Sequence, residues 1–281
     1  MKTTPDRSSP ISSQVASACP CVSVTCEDGW LVAACEMSGS CPPAERLIGL
    51  NGSLPGPAKF CLTRDGTPLV RMEIPLSDEE DLAKWSRTAE AAVCTALASL
   101  CQSDMAIERA QVPTAEPADI PDVTAICASL RWPSTKRQPG RWMVTLDCTP
   151  FCQAEVSVSG SDLVMVVPLG AADPADAGPC AEAVAHLLLR GSGALRMIRA
   201  GATVDGSELR LSLAARLQLE RVSADLDHYL CALSVAARSL LREVRALRDP
   251  VIARAYLAMR HPPVPDLQAP RPIQMTFTKE N

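Results

Sequence analysis

Between Leu209 and Leu247 the apolar residues change period once, from two to between three and four, and that order admits few folds. Leu209, Leu211, Leu213, Ala215 and Leu217 alternate with Arg210, Ser212 and Arg216, the pattern of a strand with one buried face. Asp205-Gly206 just ahead of it marks a hairpin turn, because glycine takes positive φ without strain, and it sets the partner strand at Leu195 to Thr203. After Ser223, an N-cap residue with Asp225 and Asp227 following in the first turn, Leu226, Tyr229, Leu230, Leu233, Ala237, Leu240, Leu241, Val244 and Leu247 recur every three or four residues. The spacing predicts a helix of about 25 residues, about 37 Å long. Its apolar stripe needs a sheet to cover, and the hairpin supplies one.

The same unit is written earlier in the chain. Lys59 to Asp65, the turn Asp65-Gly66, and Val70, Met72 and Ile74 alternating with Arg71 and Glu73 repeat the hairpin. Ser77 with Glu80 makes a capping box for a second long helix carrying Leu82, Trp85, Ala89, Ala92, Val93, Ala96, Leu97 and Leu100. Shifted by 144, these meet Leu226, Tyr229, Leu233, Ala236, Ala237, Leu240, Leu241 and Val244. Upstream, Ala44-Glu45 through Phe60-Cys61 aligns without a gap on Ala181-Glu182 through Met197-Ile198. Val22, Val24 and Trp30 to Cys35 fall on Val156, Val158 and Leu163 to Pro168. The order predicts a duplicated unit in a chain long enough, at 281 residues, for two ordinary cores.

The units are expected at 19–105 and 122–260. Residues 1–18, rich in Ser, Thr and Pro, read as a disordered N-terminus. Residues 106–121 read as an interdomain linker, and 261–281 as a loose Pro-rich tail. Within the units, Pro42-Pro43 opens a short helix that Asn51-Gly52 ends, and a helix from Pro179 to Arg190 is ended by Gly191-Ser-Gly193. Arg131 to Gly140 reads as an exposed loop. The nearly continuous apolar run Leu163 to Val167 reads as a central strand buried on both faces. Val251 to Met259 is a short helix.

A net charge of −5 gives no broad basic field, which argues against nucleic acid as a partner. The excess is local, since residues 1–110 carry 9 Lys/Arg against 14 Asp/Glu. No signal peptide or membrane-length apolar run is present, so the expected location is cytoplasmic, with no membrane partner. Thirteen cysteines are spread along the chain, and several, including Cys61, Cys94 and Cys231, fall within predicted elements and read as small buried hydrophobes.

A search for chemistry yields little. His186, His228 and His261 have no acid or Cys at ligand or catalytic spacing, and no phosphate loop, nucleophile elbow or zinc-protease motif is present. Cys148 and Cys152, with His186, are the residues a metal or thiol enzyme with a site between the units would use. Arg238, Arg242 and Arg245 share one helix face, a candidate surface for an acidic partner, although a solvated face near a helix C-terminus carries the same residues. Catalytic, cofactor and metal sites are therefore all expected to be absent.

The order short helix, strands, short helix, hairpin and long C-terminal helix, clearest from Asp122 to Leu247, resembles the class I type III secretion chaperones and the related YbjN-like bacterial proteins. Leu62-Thr-Arg-Asp-Gly66, followed by Leu69 to Ile74 and an acidic helix start, resembles the YbjN-like pattern. That resemblance implies an α+β fold of two tandem units, each a curved antiparallel sheet packed against a long C-terminal helix and a shorter one. It also implies no cofactor, no catalytic residues and binding of an extended protein or peptide segment. Such proteins often work as homodimers. Two copies in one chain would form the pair internally, as a pseudo-dimer, with a homodimer of the whole chain as the other arrangement. The alternative function is a structural subunit of a larger assembly, touching its neighbours through the tail.

Overall fold

A computed structural model describes residues 21–37, 42–76, 82–102, 120–148, 152–172, 178–205 and 208–260. The expected disordered start, the capping box at Ser77, most of the linker, the tail and His261 lie outside the described residues.

The first unit runs β1 (Ser23–Glu27), β2 (Trp30–Glu36), α1 (Ala44–Ser53), β3 (Lys59–Leu62), β4 (Pro68–Pro75) and α2 (Leu82–Gln102). The second opens with α3 (Val123–Ser129), β5 (Ser134–Gln138) and β6 (Arg141–Leu146). It then repeats the first unit's order as β7 (Cys152–Ser159), β8 (Asp162–Ala172), α4 (Pro179–Ala194), β9 (Arg199–Asp205), β10 (Glu208–Gln218) and α5 (Val222–Ala246), before a closing α6 (Pro250–Arg260). Two antiparallel sheets result, β1-β2-β4-β3 and β5-β6-β7-β8-β10-β9. The fold is α+β, and the last four strands of the larger sheet stand in the order of the smaller one.

Each hairpin and helix follows from its residues. Asp28 and Gly29, at φ 49° and 78°, turn β1 into β2. Leu211, Leu213, Ala215 and Leu217 are buried, as are Leu226, Tyr229, Leu233 and Leu240 on α5, so the period-two and period-3.6 faces share one core. α5 is 25 residues long. It is entered through a 3-10 turn, Leu219–Arg221, so Ser223 lies inside the first turn and does not cap it.

The registers correct the repeat. Leu31 faces Ile74 across the first sheet as Leu163 faces Leu217 across the second, so Leu163 answers to Leu31 and not to Trp30. A one-residue slip exchanges the two faces of a strand, and the apolar run from Trp30 to Cys35 hid it. In the short helices the slip is four residues, about one turn, which leaves an apolar stripe in step.

Other expectations fail for identifiable reasons. Residues 134–138 pair with β6 as an exposed edge strand and are not a loop. β8 has neighbours on both sides, yet only Leu163, Met165 and Val167 of the run are fully buried, while Val164 and Val166 lie on a partly open face. α1 and α4 continue through Gly52 and Gly193 to Ser53 and Ala194.

Candidate functional site

The two glycines read as helix stops are where the two units meet. A Cβ on Gly52 would fall 2.0 Å from the Ala202 carbonyl oxygen, and one on Gly193 would fall 2.1 Å from that of Leu62. Each short helix therefore presses its last turn on the edge strand of the other unit, α1 on β9 and α4 on β3, and only glycine permits that approach.

The neighbouring residues tie each short helix to its own unit's edge strand, and Asn51 reaches across to the other unit as well. Asn51, buried, accepts from the Phe60 amide through Oδ1 at 2.8 Å and donates through Nδ2 to the carbonyls of Phe60 at 2.8 Å and Ala200 at 2.9 Å. Ser192 Oγ accepts from the Ala200 amide at 2.8 Å. Phe60 and Ala200 hold matching places on β3 and β9, facing Val70 and Leu213. Helix side chains thus occupy the position of a missing strand and satisfy backbone groups that an edge would leave open.

Two buried cations close the arrangement. Lys59 Nζ donates to the Leu195 carbonyl at 2.7 Å and pairs with Glu73 at 3.0 Å, both side chains 1% exposed. Arg199, its counterpart on β9, donates to the carbonyls of Leu54 at 3.1 Å, Gly56 at 2.7 Å and Ala58 at 3.1 Å. Each cation meets carbonyls that leave the end of the opposing helix, where the helix dipole favours positive charge. Burial, and next the charge of Arg216, push the Arg199 pKa down to about 9, while the three carbonyls oppose that shift by holding the charged form. Burial pushes the Cys61 thiol on β3 up to about 12.

Further contacts run along the same boundary. Arg196 lies 5.0 Å from the Trp30 ring. Arg221 pairs with Asp225, donates to the Pro75 carbonyl at 2.6 Å and lies 4.9 Å from the Trp85 ring. Beside them an open cleft of about 520 Å³ is lined from one unit by Lys84, Trp85 and Thr88 and from the other by Gly160, Ser161 and Gln218 to Glu220.

With β3 and β9 covered, β1 and β5 remain as the outer strands of the two sheets. β5 is solvent-facing and carries Lys136 and Arg137. Near its start, a cleft of about 430 Å³ is lined by Leu130 to Pro133, Thr145 to Asp147 and Asp227, where the Trp132 indole donates to Asp227 at 2.7 Å.

The residues singled out from sequence fall elsewhere. Arg238, Arg242 and Arg245 are exposed on α5. His186 is buried on α4, with Nδ1 3.3 Å from the Tyr256 hydroxyl. His228 is exposed, 4.0 Å from Asp225. Cys148 and Cys152 flank the β6–β7 connection, and burial followed by the Cys148 hydrogen bond pushes the Cys152 thiol up to about 12. Among the described residues no three His, Cys, Asp or Glu side chains stand where they could hold a metal, and no helix is long and apolar enough to cross a membrane.

Sequence reasoning missed Gly52, Gly193, Lys59 and Arg199. The available signal was a glycine near the end of an apolar helix, after Asn or Ser, with a cation six or seven residues later at the start of a buried strand. No protein-family model matches the chain, and no curated protein matches it.

Proposed function

We propose that the chain is a non-enzymatic protein-binding module of the bacterial cytoplasm, similar to class I type III secretion chaperones and YbjN-like proteins, in which two units form an internal pseudo-dimer. The observation that carries this reading is the reciprocal covering of β3 and β9, which leaves β1 and β5 as outer strands. An extended polypeptide would add to β5 through backbone hydrogen bonds and place a side chain in the cleft beside Trp132, the usual division between affinity and specificity in strand addition.

The test is affinity capture of the full-length protein from its native cytoplasm, followed by hydrogen exchange on the purified complex. Bound polypeptide should slow exchange in β5 or β1 while leaving β3 and β9 unchanged. Failure to retain any defined polypeptide, or protection confined to other elements, would sink the proposal.

A further inference from the structure

We infer that the outer face of α6 is a docking surface for an acidic amphipathic segment of a partner protein. Of the five large apolar side chains left exposed among the described residues, Val251, Ile252 and Met259 lie on α6, while Val235 is mid-α5 and Ile120 lies elsewhere. Val251 and Met259 are 71% and 73% exposed. With Ile252 and Ala255 they recur at spacings of three, four and eight, so they form one stripe.

The inner side of the same helix is apolar as well. Ala253 is fully buried, Tyr256 and Leu257 pack against the core, and the Tyr256 ring meets His186 edge-on at 5.9 Å between centroids. Only Arg254 and Arg260 are charged in the eleven residues of α6. A helix apolar on opposite sides has the composition of a buried element, yet one side of this one faces water.

The surface is held in place. The Asp249 carboxylate accepts from the Val251 amide at 2.8 Å and its carbonyl from the Ala253 amide at 2.9 Å. In the preceding turn, Arg248 donates to the Ala171 carbonyl at 3.0 Å. The stripe is therefore displayed by an anchored helix.

Charge selects the occupant. α6 carries Arg254 and Arg260, both exposed, and no acidic residue, in a chain of net charge −5. A second copy docked symmetrically through this face would set arginine against arginine. Residues 261–281 carry two basic and two acidic residues and offer no complementary charge. A lipid surface would favour aromatic side chains on the outer stripe, and the one aromatic here, Tyr256, is turned to His186. Carboxylates beside apolar side chains match both features, because guanidinium groups bind carboxylates through two parallel hydrogen bonds.

The probe is a labelled synthetic peptide with Leu and Glu at helical spacing, titrated into the full-length protein alongside its Gln-for-Glu counterpart. Phosphatidylserine vesicles and a duplex oligonucleotide form separate arms. The acidic peptide is expected to bind, to weaken as salt rises, and to lose affinity at least about tenfold in both Val251→Ser/Met259→Ser and Arg254→Glu/Arg260→Glu. All four positions are exposed, so unchanged circular dichroism and melting separate lost binding from lost folding. Equal binding of the Gln peptide, indifference to either set of substitutions, binding of vesicles or oligonucleotide alone, or no binding at all would overturn the assignment.

Discussion

The two units use the same positions for the same contacts but fill them with different residues. Gly52 and Gly193 both give a helix its close approach to the opposing strand. Asn51 and Ser192 both satisfy an edge amide, while Lys59 and Arg199 both reach carbonyls beyond the opposing helix. The next position diverges. In the first unit Lys59 pairs with Glu73, which Arg71 also meets at 3.0 Å. In the second, Arg216 stands at the place of Glu73, by register, and its partner is Asp162 across the strands at 3.6 Å. The geometry tolerates a salt bridge on one side and two guanidinium groups on the other, provided every buried cation finds oxygen acceptors. What the contact fixes is size and polarity, more than residue identity.

The sharpest way to break that equivalence is to fill the glycines. Gly52→Ala and Gly193→Ala each place a methyl inside a backbone carbonyl, and each is expected to cost about 3 kcal/mol or more, read from urea melts. Tolerance at one position alone would show that the contact is not reciprocal. The cations come next. Lys59→Met leaves Glu73 buried with Arg71 as its remaining ion pair and should cost about 3 kcal/mol. Arg199→Met strips three carbonyls of their donor and should cost about 2 kcal/mol. A reversed order would mean that the carbonyl contacts outweigh the ion pair.

Cys61 sharpens the comparison by pH, because Gly201 holds its place on β9. Its folded pKa of about 12 lies above the ordinary 9.0, so the folded state holds this proton more tightly. The corresponding stability is complete below pH 9 and is lost as pH rises from 9 towards 12. By pH 10 the loss is about 1 kcal/mol, and Cys61→Ala should remove that dependence in alkaline melts. The smallest expected effect is at Gly49, one turn before Gly52 in α1. Nothing lies within 4 Å of its added Cβ, so Gly49→Ala should stabilise by about 0.5–1 kcal/mol.

Much of this fold is legible in the sequence wherever a period or a turn specifies it. Alternation gave β10, the 3.6 period gave α5 and α2, and Asp65-Gly66 gave the β3–β4 hairpin. The exact pairing of the two units was not legible, because the run Trp30 to Cys35 is apolar at every position and a four-residue slip in a helix preserves its stripe. The interface was misread for another reason. A glycine near a helix end permits either a left-handed cap or a close approach, and only the opposing strand, about 150 residues away in the chain, decides between them. β5 was lost because Ser134 to Gln138 carries no apolar alternation, as befits an exposed edge.

The most direct test is native-state hydrogen exchange on the full-length protein, comparing the Phe60 and Ala200 amides with those of β1 and β5. The Phe60 and Ala200 amides, each held at 2.8 Å by a side chain of its own unit's short helix beside the opposing unit, should exchange together and only through global unfolding, while β1 and β5 exchange earlier through local opening. Exchange of Phe60 and Ala200 as fast as the outer strands, or of one long before the other, would contradict a reciprocal pair.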